Sequence, residues 1–232
     1  MISVLLYGSR GQMGREILAL AKKDRAFIIS HPIDARNKKF HRSLLEVDGR
    51  KVDIVIDFSI AAAHKGILDW CGKYKVPLLS GTTGLSAIDH RKQRVLAKKI
   101  PILWASNMSL GITVIKQSLK TFGALKGFKF EIHETHHIHK KDRPSGTAIT
   151  LHEELRQHVD KKDLLGVRSY RRGKIFGDHK ITVTSNSEVI TLEHRALNRK
   201  VFAEGALMAA KWLIQKRSGL YKIEDVLEIE KK

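Results

Sequence analysis

The sequence predicts an α/β protein in which a doubly wound parallel sheet is followed by a portion of the α+β type. The first half of the chain alternates short apolar runs with helical segments, the order typical of a parallel sheet. A glycine-rich turn joins the first apolar run to the first helix. After Gly127 the pattern changes, because Phe128, Phe130 and Ile132 alternate with polar residues in the two-residue period of a strand.

Length and composition describe a globular protein with a sizeable core. Its 232 residues are 42% hydrophobic and 29% charged, which allows one large domain or two small ones. The apolar runs stop short of the roughly 18 residues that a membrane-spanning helix needs, so we predict no membrane association. The apolar start of the chain favours a buried strand over a signal peptide, since it lacks a basic segment. Cys71 is the only cysteine, which excludes an internal disulfide and favours the cytoplasm.

The formal net charge of +19 raises the question of nucleic-acid binding. The basic pairs are scattered along the chain, as Lys22-Lys23, Lys98-Lys99 and Arg171-Arg172 illustrate. They form no single basic helix and no stripe interleaved with aromatic residues, so we favour a solvated basic surface over a nucleic-acid site. The positive field would also attract an anionic substrate and cofactor.

The first strand is predicted at residues 2–7 and the first helix at 15–23, with the glycine turn at 8–14 between them. In this context, backbone amides at a helix N-terminus receive the pyrophosphate of a dinucleotide. The spacing is G-x-x-G-x-x-G, and Arg10 occupies the middle glycine position of the usual G-x-G-x-x-G fingerprint. The cofactor residues predicted here are Gly8, Gly11, Gln12 and Met13.

Asp34 follows a second predicted strand, at residues 26–30, and lies about 20 residues past the turn, where an acid holds the adenosine ribose. Arg36 is placed to receive the 2′-phosphate of NADPH instead. Asp34 favours NADH and Arg36 favours NADPH, so both cofactors stay open. A structural role for Asp34, capping the loop after Pro32, also stays open.

Further strands are predicted at 52–58, 76–80 and 100–104, each followed by a helix. Ligands of such sheets bind beyond the carboxyl ends of the strands. The small residues of the loops that follow the last two strands would let a nicotinamide ring approach the backbone, although each loop alone also fits a plain connection. The residues predicted to contact the cofactor here are Gly81, Thr82, Thr83, Ser106, Asn107 and Met108.

The chemistry is predicted in residues 131–148, between a strand and a helix. This stretch contains four histidines, two lysines and a Pro-Ser-Gly-Thr turn, a set that suits an anionic substrate that must be protonated. It also contains H-E-x-x-H at 133–137, the zinc-protease pattern, which requires a helix. On a strand, residues four apart are separated by about 13 Å and cannot share one zinc ion, so we predict no metal.

Residues 134–148, E-T-H-H-I-H-K-K-D-R-P-S-G-T-A, resemble the signature of the 4-hydroxy-tetrahydrodipicolinate reductase (dihydrodipicolinate reductase) family. The turn at 8–14 and the segments D-F-S at 57–59, G-T-T-G at 81–84 and F-A-E-G-A at 202–206 are similar to further family blocks in the same order. The resemblance covers nearly the whole chain. It implies a Rossmann-like dinucleotide-binding domain at 1–108 and 203–232, and a domain at 109–202 for substrate binding and assembly of a homotetramer.

The resemblance also implies a reaction. NADH or NADPH would reduce 4-hydroxy-tetrahydrodipicolinate, a small cyclic dicarboxylate, to tetrahydrodipicolinate in the diaminopimelate route to lysine, with the substrate lying between the domains. His136 and Lys140 would donate the proton. The residues implied to hold the substrate are His137, Ser145, Gly146, Thr147 and Thr83, of which Thr83 would touch both ligands. His133 and His139 are left without a catalytic role.

Three residues depart from the family pattern around the cofactor: Arg10 in the glycine turn, Ile60 where some members have a basic contact, and Met108 where an aromatic is common. The chain is also shorter than usual near 34–53 and 160–181. These departures bear on the choice between NADH and NADPH. The alternatives are a related nicotinamide-dependent imine reductase and a non-catalytic relative that binds nucleotides or nucleic acid.

Overall fold

The computed structural model describes residues 1–34, 41 and 43–227. The chain divides into two compact units. Unit 1 comprises Met1–Met108 with Phe202–Lys232, and unit 2 comprises Ser109–Val201. In the described ranges, no helix is both long and apolar enough to cross a membrane.

Unit 1 is built on a six-stranded parallel sheet, which confirms the predicted fold class. Its strands are β1 (Ile2–Tyr7), β2 (Phe27–Ile33), β3 (Ile54–Asp57), β4 (Leu78–Ser80), β5 (Pro101–Trp104) and β10 (Gly219–Tyr221). The helices that follow β1, β3 and β4 are α1 (Gln12–Ala21), α2 (Ala61–Tyr74) and α3 (Ala87–Leu96), and α6 spans Lys200–Leu213.

The strand order is β10-β5-β4-β3-β1-β2. The chain therefore moves outward from β1 to β2 and then returns to the other side of β1 for β3. This reversal creates a topological switch point between the carboxyl ends of β1 and β3, the place where open α/β sheets bind their ligands.

Among the elements of unit 1 whose bounds differ from the sequence prediction, α1 and β2 bear on the glycine turn and the sheet edge. Helix α1 begins at Gln12 and not at residue 15, so the last residues of the glycine turn form its first turn. Strand β2 extends to Ile33 and includes Pro32, beyond the predicted end at residue 30. Since β2 lies at the edge of the sheet, the N–H that proline lacks is not needed for a second neighbour.

Unit 2 contains a mixed sheet in the order β7-β6-β8-β9, with β6 parallel to β7 and the other pairs antiparallel. Its strands are β6 (Lys129–His136), β7 (Leu164–Arg171), β8 (Asp178–Thr184) and β9 (Val189–Arg195). Helix α4 spans Leu110–Ser118, and α5 (Gly146–Arg156) forms the crossover between β6 and β7. One face of the sheet is apolar, with Ile132 and Ile181 packed in the same cluster as Leu151 of α5.

The sequence prediction missed β7. Strand β7 has no fully buried residue, and Gly166 interrupts its pattern with a positive φ of 103°. Strand β6 continues to His136, so the first candidate proton donor is the last residue of this strand. The helix predicted after the strand at 100–104 ends at Ser118 and continues as a 3-10 helix over Leu119–Ala124.

Candidate active site

The glycine turn after β1 is held in a shape that only glycine permits at two positions. Gly8 has a φ of +82°, and a Cβ on it would collide with the carbonyl oxygen of Phe58. A Cβ on Gly14 would collide with the backbone of Gly8 itself. Arg10 is exposed, so its side chain does not fill the turn where the usual fingerprint has glycine.

The N-terminus of α1 offers backbone amides to an anion. Gly11 is the N-cap residue, and within the described structure no side chain caps this helix. Its first turn also contains no acidic residue. The N–H groups of the first helical residues, Gln12 and Met13, therefore lie at the positive end of an uncapped helix beside the switch point of the sheet.

Asp34 directly follows the last residue of β2 and is buried. Ile33 pairs in register with Tyr7, and the Ser9 hydroxyl donates to the Ile33 carbonyl over 3.0 Å, so Asp34 lies next to the glycine turn. Burial, with the negative charges of Asp57 and Asp34, raises the pKa of Tyr7. Arg36, the predicted 2′-phosphate ligand, lies outside the described residues.

The two predicted nicotinamide loops follow β4 and β5. Thr83 and Ser106 are exposed, whereas Thr82 and Met108 are buried. The Thr82 hydroxyl donates to Asp57 over 2.9 Å, and its carbonyl accepts from the Trp104 indole over 2.9 Å. The polar groups of Thr82 thus bind the protein itself, which leaves Thr83 as the more accessible of the two threonines.

In unit 2, a buried carboxylate connects the end of β6 to β7. Glu134 and His136 lie on the same face of β6, and the Glu134 side chain contacts Nδ1 of His136. Its other oxygen accepts from Arg171 of β7 over 2.9 Å. Arg171 also donates to the carbonyl oxygens of Lys140 and Asp142. One guanidinium therefore holds the strand, its carboxylate and the loop that carries the predicted lysine.

The protonation states of this pair follow from burial and charge. Burial lowers the pKa of His136, contact with Glu134 opposes this shift, and the cations Lys140 and Arg171 add to it. Burial by itself would raise the pKa of Glu134, but contacts with Ser169, Arg171 and His136 outweigh it, so that pKa is lowered. An ionised carboxylate only accepts, so Nδ1 of His136 carries the shared hydrogen and Nε2 is the acceptor nitrogen of the neutral ring.

His179 of β8 completes the cluster. Its ring meets that of His136 edge-on, with 5.2 Å between centroids, and its Nε2 lies 3.3 Å from the Ser145 hydroxyl. Burial, with the nearby His136, lowers the pKa of His179 from 6.5 to about 3. Sequence reasoning missed this residue, although its two-residue spacing from Ile181 and Val183 indicates the buried face of the strand.

We expect the His179 shift to make the protein lose stability in mild acid. The folded-state pKa lies below the ordinary value, so the unfolded chain binds the proton first, and the free energy of unfolding falls as pH decreases from 6.5 toward about 3. Urea unfolding of the wild type and of His179→Gln at about pH 7 and about pH 5 checks this, and the variant should lose less stability between them. Lys162→Gln, an exposed change before β7, should retain the wild-type dependence. An equal change in the free energy of unfolding between the two pH values in all three proteins would contradict the prediction.

Of the substrate-binding residues implied by the resemblance, Ser145, Gly146 and Thr147 lie at the start of α5, whereas Thr83 belongs to unit 1. Ser145 caps this helix, with its hydroxyl 3.3 Å from the Ala148 N–H. Gly146 is exposed, and the space where a Cβ would lie is open, so the first amides of α5 are accessible to an anion. Burial, followed by the charge of Arg199, lowers the pKa of His137. The Lys140 ammonium lies 2.8 Å from a carboxylate oxygen of Asp142.

The residues described here bring three possible metal ligands together, namely Glu134, His136 and His179, within 4.8 Å of one another. The guanidinium of Arg171, paired with Glu134, opposes a cation at this place. The H-E-x-x-H interpretation is excluded by geometry, because His133 lies on the opposite face of β6 and stacks on Tyr170. His133 also bonds Glu131 over 2.7 Å.

The Rossmann-like unit, its uncapped helix at the switch point and the histidine cluster of unit 2 define a class, the NAD(P)H-dependent oxidoreductases. Family comparison then narrows the class. Residues 2–108 match the model described as "Dihydrodipicolinate reductase, N-terminus", and residues 111–227 match "Dihydrodipicolinate reductase, C-terminus". The chain belongs to the dihydrodipicolinate reductase family.

Individual relatives agree with this assignment. The chain is 45% identical to the 4-hydroxy-tetrahydrodipicolinate reductase of Bdellovibrio bacteriovorus over 227 residues, covering 97% of this chain and 96% of that one. It is 36% identical to the enzyme of the same name from Xanthomonas euvesicatoria, covering 97% and 98%. The dipicolinate-bound dihydrodipicolinate reductase of Paenisporosarcina sp. TG-14 shares the fold, with a TM-score of 0.84 at 20% identity, covering 97% of this chain and 99% of that one.

Proposed function

We propose that the chain catalyses the NAD(P)H-dependent reduction of 4-hydroxy-tetrahydrodipicolinate to tetrahydrodipicolinate in the diaminopimelate route to lysine. The cofactor supplies a hydride, a proton is added, and the 4-hydroxyl group leaves as water. One observation carries this proposal. The buried Glu134–His136 pair ends β6 within ten residues of the open N-terminus of α5, so that a proton donor and an anion site share one segment of the chain. This pairing suits a substrate that is a dicarboxylate and accepts a proton.

Unit 1 is the proposed dinucleotide-binding domain. The turn residues Gly8 and Gly11, with the amides of Gln12 and Met13, receive the pyrophosphate. Asp34 binds the adenosine ribose, and its position beside the turn supports this role. The proposed contacts to the nicotinamide end are Gly81, Thr82, Thr83, Ser106, Asn107 and Met108. The bound dinucleotide, NADH or NADPH, supplies the hydride.

Unit 2 is the proposed substrate domain. The amides of Ser145, Gly146 and Thr147 hold one carboxylate at the positive end of α5, assisted by the His137 ring. Thr83 of unit 1 is the proposed contact that touches both ligands. His136 and Lys140 protonate the ring position that becomes electron-rich after reduction, a step that a positioned acid accelerates by about 10²- to 10⁴-fold.

The lowered pKa of His136 indicates when this residue takes up its proton. In the free protein the ring is buried near Lys140 and Arg171, and it resists protonation. A dianionic substrate brings negative charge to the same place, which favours the charged imidazolium. We therefore propose that His136 takes up its proton as the substrate binds and loses it during the reaction.

A homotetramer is the proposed assembly, formed through the sheet of unit 2. One face of that sheet is covered by the apolar cluster that includes α5, whereas the other carries exposed side chains, among them Lys180, Thr191 and Glu193. A face left uncovered within the chain supports burial against a second copy. The proposed location is the cytoplasm, which the single buried thiol of Cys71 supports.

A coupled assay tests the proposed activity. Pyruvate, aspartate semialdehyde and the upstream synthase generate the substrate, and the absorbance of NADH or NADPH is followed after the chain is added. We expect oxidation that depends on the synthase, at a rate set by the concentration of the chain. No oxidation of either cofactor would refute the proposal. Oxidation with a simple cyclic imine but not with the synthase product would favour the related imine reductase.

A further inference from the structure

A buried carboxylate organises the carboxyl ends of β3 and β4. Asp57, the last residue of β3, is fully buried. One of its oxygens accepts from the Ser59 N–H over 3.0 Å and from the Ser59 hydroxyl over 2.6 Å. The other accepts from the Ser80 hydroxyl over 3.0 Å and from the Thr82 hydroxyl over 2.9 Å. The carboxylate thus ties the turn after β3 to the loop after β4.

The orientation of this carboxylate is set by two helices. His64 of α2 is fully buried, and its Nδ1 lies 3.2 Å from Asp57. Its Nε2 lies 3.0 Å from the side-chain amide of Gln93 on α3, whose carbonyl oxygen is 3.0 Å from Nδ1 of His90. Because a carboxylate only accepts, one arrangement satisfies every atom: Nδ1 of His64 donates to Asp57, and the Gln93 amide donates to Nε2.

This series of contacts leads from His90 back to the loop after β4. The His90 ring packs edge-on against Trp104, with 4.7 Å between centroids, and the Trp104 indole donates to the Thr82 carbonyl. The Ser59 N–H also lies 3.1 Å from the Thr82 hydroxyl. Thr82 is therefore held from two sides, through Asp57 and through Trp104. The neighbouring Gly81 is held as well, because its N–H donates to the Asp57 carbonyl oxygen over 2.9 Å.

We propose that His64 and Gln93 are positioning residues for the dinucleotide. They orient the Asp57 carboxylate, and through Thr82 they preorganise the loop that receives the nicotinamide end. The inference rests on the proposed function, in which residues 81–83 contact the cofactor. Since a preorganised loop spares the ligand the cost of ordering it, losing this support weakens cofactor binding and leaves the proton-donating residues of unit 2 unchanged.

A pair of substitutions at His64 tests the proposal. His64→Leu removes both hydrogen bonds, whereas His64→Asn keeps a donor close to the position of Nδ1. We expect the dissociation constant and the KM for NADH to rise roughly tenfold in the Leu variant and to return close to wild type in the Asn variant. The kcat and the KM for the dicarboxylate should stay within about twofold, because the loop reforms at saturating NADH. Lys65→Ala, an exposed change on the same helix, is the control.

The measurements are fluorescence titration with NADH and steady-state kinetics on the full chain. If His64→Leu does not fold, Gln93→Leu provides the same comparison. Unchanged NADH affinity in His64→Leu overturns the inference. A variant with a lower kcat and with a higher KM for both NADH and the dicarboxylate also overturns it, because that result indicates a general structural role. A wild-type chain that binds NADH but lacks turnover refutes the proposed function alone. The NADH dissociation constants of the wild type and the His64 variants then still test the inference. A wild-type chain that binds neither NADH nor NADPH refutes both, and a chain that binds only NADPH is tested with NADPH in place of NADH.

Discussion

Replacing His136 by alanine is expected to lower kcat by about 10²- to 10⁴-fold, the contribution of a positioned general acid. The ring is buried at the end of β6 and held by Glu134, and its removal leaves Lys140 as the one remaining proposed donor. NADH binding should survive, because the proposed dinucleotide site belongs to unit 1. Steady-state kinetics and an NADH titration measure the two effects separately.

His133→Ala is the matched control for this substitution. His133 lies on the same strand but on the opposite face, where it stacks on Tyr170. It should retain turnover close to that of the wild type. Unchanged turnover in His136→Ala, or an equal loss in His133→Ala, would remove His136 from the mechanism.

The pKa of His136 adds a pH dependence to the same experiment. The reaction needs the protonated ring, so activity should fall as pH rises through the pKa of His136. Burial and two nearby cations lower that pKa in the free protein, whereas a bound dianion raises it. The limb due to His136 should therefore lie at lower pH in the profile of kcat/KM than in that of kcat. The same limb should be absent from the His136→Ala profile.

Glu134→Gln is expected to reduce the free energy of unfolding by about 3–5 kcal/mol, because it leaves a buried charge without its partner. The Glu134 side chain is 0% exposed and that of Arg171 is 4% exposed, so water cannot replace the lost carboxylate. Chemical denaturation measures the change. The double variant Glu134→Gln with Arg171→Met should recover part of the loss, since both charges are then gone.

Arg50→Met is a suitable surface control for this ion pair. Its guanidinium pairs with Asp48 in unit 1, but the two side chains are 84% and 37% exposed. This variant should unfold with a free energy close to that of the wild type, because an exposed ion pair contributes little. A Glu134→Gln variant as stable as the wild type would show that the buried pair does not support the fold.

The contribution of Glu134 to the free energy of unfolding should decrease in acid. Its folded-state pKa is lowered from 4.5, so its stabilising contribution is present above that value and is lost as pH falls through the folded-state pKa. Glu134→Gln should remove this part of the acid dependence. Comparing unfolding free energies of the two proteins between about pH 5 and about pH 3 tests the sign.

Local sequence was sufficient to predict the parallel sheet and the glycine turn. Buried parallel strands have continuous apolar sequences, and the shape of the turn depends on glycines a few residues apart. Gly14 illustrates this, because its requirement for glycine is a contact with the backbone of Gly8 within the turn. The signature at 134–148 likewise contains His136, Lys140 and the start of α5 within fifteen consecutive residues, so their proximity follows from the chain itself.

The partners of these residues come from distant parts of the chain, and no local pattern shows which residues they contact. Arg171 is 37 residues from Glu134 and lies on β7, the strand that the sequence prediction missed. His179 was overlooked for the same reason, since its role depends on the antiparallel pairing of β8 with β6.

The sequence by itself determined the fold class, the glycine turn and the segment that carries the proposed proton donors, because each depends on residues close together in the chain. Only the tertiary structure decided that β2 continues through Pro32 at a sheet edge, that Arg171 neutralises Glu134, and that His64 reaches Asp57. The physical reason is common to all three. Edge position, buried charge pairing and side-chain hydrogen bonds are properties of neighbours in space, and the folded backbone brings those neighbours together.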